Sequence, residues 1–193
     1  MNLPSLVLEH AFDQPPLLGG GWMICIDGPA GSGKTTLADA LLAEATDRVE
    51  RPQVLHLDDL LEGWSGLGSL GPRLRNYVVG PLASGHPGCY RRYDWATERF
   101  AEEHLIAPLD LLILDGVGSG SRDLRSRRAT LVWVEAPPLV RLRRGLERDG
   151  AQLRDAWLQW MADEACHFAD QSTRELADFR VDGATSVRGD CLR

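Results

Sequence analysis

Residues 28–35 read Gly28-Pro29-Ala30-Gly31-Ser32-Gly33-Lys34-Thr35, a complete match to the pattern G-x-x-x-x-G-K-[ST]. The glycines let the backbone wrap closely around an anion. N–H groups then point inward, and the N-terminus of a following helix adds positive potential. The flanks fit that geometry. Trp22 to Ile26 is a short apolar run ending in Asp27-Gly28, which predicts a buried strand. From Thr35 onward Leu37, Leu41 and Ala45 recur at four-residue spacing, which predicts a helix with one buried face. Strand, loop and helix in that order make a phosphate-binding loop. Its binding residues are Gly28, Ala30, Gly31, Ser32, Gly33, Lys34, Thr35 and Thr36. Lys34 can reach the β- and γ-phosphates, and the Thr35 hydroxyl can ligate Mg²⁺.

The rest of the chain repeats the alternation. Apolar strands are expected near 54–57, 111–114, 131–134 and 177–181, besides 22–27. Helices are expected over 5–12, 73–83 and 95–106, and after Pro137-Pro138, which suits a first helical turn. The stretch 62–72 holds four glycines and reads as a loop. Strands without polar alternation, separated by helices, imply an α/β fold whose parallel sheet is covered on both faces. A chain of 193 residues fits a single domain.

Composition removes some classes. A net charge of −7 argues against a protein that coats nucleic acid. The apolar runs are too short to span a bilayer, and Met1 to His10 lack the pattern of a secretory leader. Cys25, Cys89, Cys166 and Cys191 are scattered and read as free thiols. The expectation is a cytoplasmic protein without nucleic-acid or membrane partners.

Two carboxylate sites stand at predicted strand ends. Asp115 follows the strand 111–114, where open α/β sheets present ligand-binding groups, and is the candidate to hold magnesium. The alternative is a turn aspartate, since Gly116 follows. Asp58 and Asp59 follow the strand 54–57. Asp58 is assigned to accept a proton from an acceptor hydroxyl and to help order Mg²⁺, while Asp59 caps a turn or contacts the acceptor.

These motifs resemble the P-loop kinases of small metabolites, especially the uridine kinase-like group. The resemblance runs from Ile24-Cys25-Ile26-Asp27-Gly28 to Val181-Asp182-Gly183. It includes Leu57-Asp58-Asp59, Leu112-Ile113-Leu114-Asp115-Gly116 and the segment Arg141-Leu142-Arg143-Arg144-Gly145-Leu146-Glu147-Arg148. It implies a three-layer fold with a five-stranded parallel sheet of order 2-3-1-4-5 and a helical lid over 139–165. It also implies ATP and Mg²⁺ as cofactors and catalytic roles for Lys34, Asp58, Arg144 and Arg148. The spacing independently puts Arg141, Arg144 and Arg148 on one helical face, with a solvated basic face as the alternative. The chain departs from the group by carrying Leu60-Leu61 after the strand-two aspartate, Asp115 in place of glutamate, and Cys89-Tyr90-Arg91-Arg92-Tyr93-Asp94-Trp95 in the acceptor segment.

The acceptor region is placed at 59–95. Tyr90, Tyr93 and Trp95 offer stacking surfaces, Arg91 and Arg92 anion contacts, and Asp94 a carboxylate for a hydroxyl. The alternative packs Tyr93 and Trp95 in the core, with Asp94 capping a helix that starts at Trp95. Arg122, Arg125, Arg127 and Arg128 are assigned to a solvated helix, and Trp157, Trp160 and Phe168 to packing. His56, His104 and the pair Cys166-His167 lack zinc-ligand spacing. The functional expectation is an ATP-dependent kinase acting on a hydroxyl of a small, nucleoside-like acceptor. A mononucleotide kinase and a non-catalytic nucleotide-binding protein are the alternatives.

Overall fold

The computed structural model describes residues 2–185 and 191–192. Its centre is a sheet in which the strands β1 (Trp22–Asp27), β2 (Pro52–His56), β5 (Leu111–Asp115), β6 (Thr130–Glu135) and β7 (Phe179–Asp182) run parallel in the order β2-β5-β1-β6-β7. Counting parallel strands alone, this is the expected order 2-3-1-4-5. The short β8 (Cys191–Leu192) adds antiparallel to β7.

Period-two alternation divides the central strands between two cores. Ile24, Ile26, Ile113, Val132 and Val134 face the helices α1 (Leu3–Phe12) and α2 (Lys34–Ala45), meeting Val7, Leu8, Leu37 and Leu41. Met23, Cys25, Leu112, Leu114 and Leu131 face the opposite layer, with Leu70, Leu74, Val78 and Trp160. Both faces of the sheet are therefore dry, which is why its strands lack polar alternation. Among the described residues no helix is long and apolar enough to cross a membrane.

The structure corrects the expected elements in four places. Residues 67–72, expected as loop, begin a helical run: α3 (Leu67–Arg73), a π-helical stretch at Leu74–Val79, and α4 (Gly80–Ala83). Leu67, Leu70, Leu74, Val78 and Leu82 form one buried stripe at helical spacing, and that burial outweighs the low propensity of the glycines. Pro72 and Pro81 supply no N–H within this run. The helix expected over 95–106 is instead the second strand of an antiparallel hairpin, β3 (Gly88–Asp94) with β4 (Arg99–Ile106). Asp94 does cap, but it caps the hairpin turn, its Oδ1 accepting from the N–H groups of Ala96 (2.9 Å) and Thr97 (3.3 Å). The helix assigned around Arg122 is a single 3-10 turn, Arg122–Leu124. The last parallel strand lies at Phe179–Asp182 rather than 177–181.

After β6 the chain forms α5 (Pro138–Asp149) and the long α6 (Arg154–Gln171). They meet where Gly145 lets the Trp157 ring approach the α5 backbone. A Cβ at Gly145 would stand 2.3 Å from Trp157 Cζ2. Asp27, the last residue of β1, is fully buried and joins two loops. Its carboxylate accepts the N–H groups of Gly28 (2.8 Å), Gly118 (2.9 Å) and Gly120 (2.8 Å). Burial pushes its pKa up, while these three donors and the Lys34 ammonium oppose the rise.

Two outcomes follow for stability. Alanine in place of Gly145 adds about 1 kcal/mol of helix propensity, but overpacking against an immobile indole costs about 1–3 kcal/mol. Gly145→Ala is expected to lower the urea midpoint, and a raised midpoint would contradict this packing. Asp27→Asn turns an acceptor oxygen into a donor facing a glycine N–H, a loss of about 1–3 kcal/mol. Denaturant titration checks it, and unchanged stability would contradict the buried hub.

Candidate active site

The loop between β1 and α2 must turn sharply while passing under β6. Gly28 has φ 134° and lies so close to β6 that a Cβ would stand 2.1 Å from the Val134 carbonyl oxygen, so only glycine fits. α2 starts at Lys34 behind Gly33, which is left-handed (φ 102°) and supplies no side-chain cap. The first-turn N–H groups of α2 thus have no side-chain partner, the arrangement that binds an anion. Lys34 is nearly buried. Its Nζ donates to the carbonyls of Gly28 (2.7 Å) and Pro29 (3.0 Å). Thr35 and Thr36 are exposed in the first turn of α2.

Asp115, the last residue of β5, is buried at this same edge. Its Oδ2 is hydrogen-bonded to His56 Nδ1 (2.9 Å), the cross-strand neighbour in the parallel register. That bond, with the Asp115 charge, raises the His56 pKa against the opposing effect of burial. Among the described residues Asp115 Oδ1 is buried without a hydrogen-bond partner, as is Ser32 Oγ in the loop. An orphaned carboxylate oxygen beside an anion-binding loop fits a divalent cation carried in with phosphates.

Asp58 lies in a 3-10 turn, Leu57–Asp59, directly after β2. Its side chain is exposed, yet protein packed around it strips enough water to raise its pKa. Lys34 and Arg148 pull it down, and Asp115 and Asp59 push it up. Lys34, Asp115 and Arg148, from three different elements, therefore all act on the charge of Asp58.

The arginines of α5 divide. Arg148 is held by both Asp149 oxygens (2.6 and 3.0 Å), lies 5.9 Å over the Trp157 ring, and shares its field with Asp58. Arg144 instead donates to the carbonyls of Gly31 (3.3 Å) and Gly183 (2.9 Å). Arg141 is buried against Glu164. The three do not form one solvated basic face.

The residues expected to meet an acceptor, 90–95, lie on the hairpin and its turn. Arg91 donates to the carbonyls of Phe100 (3.0 Å) and Ala101 (3.2 Å), and Arg92 pairs with Glu102 (2.5 Å). Tyr93 is buried between Trp95 and Phe100. Trp95 is partly exposed, and its indole donates to the Asp58 carbonyl (3.0 Å). Tyr90 stacks on His104 (5.2 Å) and feels the charge of Asp59. Beside them lies a cleft of about 240 Å³ lined by Leu60, Arg73, Tyr77, Tyr90, Phe100 and Glu103. A larger groove of about 450 Å³ on α5, at Leu139, Leu142 and Leu146, contains none of the candidate groups, so volume alone does not locate the site.

Sequence reasoning missed Asp27, His56 and Glu164. Asp27 and His56 stand at strand ends beside the motifs, a readable signal. Glu164 meets the loop from 134 residues away, with no local mark.

Neither a protein-family model nor a curated protein matches this sequence. Solved structures do match its fold. A possible uridine kinase from Bacillus stearothermophilus aligns at 18% identity with a TM-score of 0.65, covering 93% of this chain and 97% of that one. A candidate fructose transport system kinase from a Silicibacter species aligns at 21% identity with a TM-score of 0.63, covering 93% of this chain and 98% of that one. At these identities the likeness concerns the fold: this chain has the α/β architecture, with its five parallel strands, of P-loop kinase structures.

Proposed function

We propose that this chain is an ATP-dependent kinase that transfers a γ-phosphoryl group to the hydroxyl of a small, nucleoside-like acceptor. The observation that carries the reading is the glycine loop leading into the uncapped start of α2, with Asp58 just after β2 and Asp115 at the end of β5. In this reading the loop residues Gly28 to Thr36 and the α2 N–H groups take the phosphates, and Lys34 exchanges its loop carbonyls for phosphate oxygens. Thr35, Asp115 and Asp58 would hold Mg²⁺, which when bound neutralises phosphate charge.

The acceptor lies in the cleft beside Asp59, between Tyr90 and Phe100 on the hairpin and Tyr77 on the π-helical stretch. Aromatic walls suit a flat, partly apolar group. Tyr93, Asp94, Arg91 and Arg92 support that wall through their bonds within the hairpin, and Trp95 braces the Asp58 turn. As the acceptor oxygen bonds to phosphorus and the bond to the β-phosphate oxygen breaks, Asp58 takes the hydroxyl proton. Arg148 stabilises the charge that develops as ADP leaves. A net charge of −7 disfavours a nucleic-acid or anionic membrane partner, and in this reading the chain is a cytoplasmic enzyme acting on small molecules.

Arg73, a cation in the cleft 4.4 Å over the Phe100 ring, favours a second reading. It would clamp the phosphate of a mononucleotide acceptor. Such an acceptor oxygen is already ionised and needs no base.

Lys34→Ala is expected to abolish turnover and to weaken Mg·ATP binding in calorimetry. Full affinity and turnover would overturn the nucleotide site. Asp58→Asn keeps the shape of the side chain but cannot take the proton. Its remaining amide oxygen can still face Mg²⁺, so Mg·ATP binding should weaken only modestly while transfer to a hydroxyl falls ~10²–10⁴-fold. Wild-type transfer in this variant would favour the mononucleotide reading.

A further inference from the structure

Glu164 of α6 is almost completely buried, yet nothing in the proposed transfer uses it. Its Oε1 accepts from Arg141 Nη1 at 2.7 Å, and its Oε2 accepts the backbone N–H of Ala30, inside the phosphate-binding loop, at 2.8 Å. Arg141 also donates to the carbonyls of Ala136 (3.1 Å) and Ala30 (3.4 Å). Arg144 holds the next carbonyl, that of Gly31. Side chains of α5 and α6 thus grip both polar groups of residue 30 and the carbonyl of residue 31.

A trans peptide is planar, so a carbonyl and the following N–H point in opposite directions. With the Pro29 carbonyl on Lys34, the Ala30 N–H turns to Glu164. With the Ala30 carbonyl on Arg141, the Gly31 N–H turns away from α5, while the Ser32 N–H closes the turn onto the Pro29 carbonyl (3.2 Å). A phosphate nest needs its free N–H groups on the concave side, and one Ser32–Pro29 turn bond does not by itself hold a glycine-rich loop in a single such shape. Stability does not account for the pair. Desolvating two charges costs enough that a well-packed apolar pair would serve as well or better.

We propose that Glu164, together with Arg141 and Arg144, is a positioning residue that holds the phosphate-binding loop concave before a nucleoside triphosphate arrives. The proposal rests on the nucleotide reading of the loop given above. Preorganisation of this kind raises affinity by removing the ordering that binding would otherwise require.

The test uses the full chain, labelled with ¹⁵N, and Mg·ATP as the probe. Glu164→Gln keeps the shape but presents one acceptor and one donor, so either Arg141 or the Ala30 N–H faces a donor. The expected result is loss of hydrogen-exchange protection at the Ala30 amide without nucleotide, and about tenfold weaker Mg·ATP binding by calorimetry. The double variant Arg141→Met/Glu164→Met replaces the pair with apolar side chains. It is expected to regain the wild-type Tm while Mg·ATP binding stays weak, which a merely structural role would not produce. Wild-type affinity and wild-type Ala30 exchange in Glu164→Gln would overturn the proposal, as would recovery of both Tm and affinity in the double variant. If the wild-type chain does not bind Mg·ATP, the nucleotide reading fails by itself. The Ala30 exchange comparison then still decides whether Glu164 shapes the loop.

Discussion

Everything at the candidate site depends on holding in one shape a glycine-rich turn that glycine permits but does not by itself fix. The backbone of residues 28–31 is fixed from several directions. Asp27 takes the Gly28 N–H from β1, Lys34 takes the Gly28 and Pro29 carbonyls from α2, and Glu164 takes the Ala30 N–H from α6. Arg144 takes the Gly31 carbonyl from α5. Asp27 also binds Gly118 and Gly120, so the loop after β5, and with it the setting of Asp115, is referred to the same buried carboxylate. A loop tied to four elements moves only if the sheet edge moves with it.

A second set of contacts runs through aromatic rings. Trp64, just after the Asp58 turn, packs edge-on against Trp95 of the hairpin (5.6 Å) and against Trp157 and Trp160 of α6 (both 6.1 Å). Trp157 in turn holds Asp149, the residue that anchors Arg148. The hairpin, the Asp58 turn and the arginine helix therefore share one apolar cluster. Aromatic pairs of this kind each add roughly 0.5–1.5 kcal/mol beyond their buried area. That is enough to keep the three elements in register.

The parts of this arrangement that were legible in the sequence are those written in local runs. Apolar strands ending in Asp27-Gly28, Asp58-Asp59 and Asp115-Gly116, with the octapeptide 28–35, sufficed for the parallel sheet, and the resemblance they carry implied its order. Two local judgements failed for physical reasons. Glycines at 66, 68 and 71 hid a helix, because the stripe Leu67, Leu70, Leu74, Val78 and Leu82 pays back in burial what the glycines lose in propensity. The hairpin read as a helix because its cap, Asp94, serves a turn as well as it serves a helix. Glu164 was beyond reach. Its partners Ala30 and Arg141 are distant in sequence, and a lone glutamate on an amphipathic helix carries no sign of burial.

The central claim is that this edge moves a phosphoryl group onto a neutral hydroxyl. Transfer from γ-labelled Mg·ATP to a panel of nucleosides, sugars, vitamins and mononucleotides tests it most directly. The account predicts label in the phosphate ester of a neutral hydroxyl compound, Asp58 having taken its proton. Label found only on mononucleotides, or on no acceptor of the panel, would contradict it.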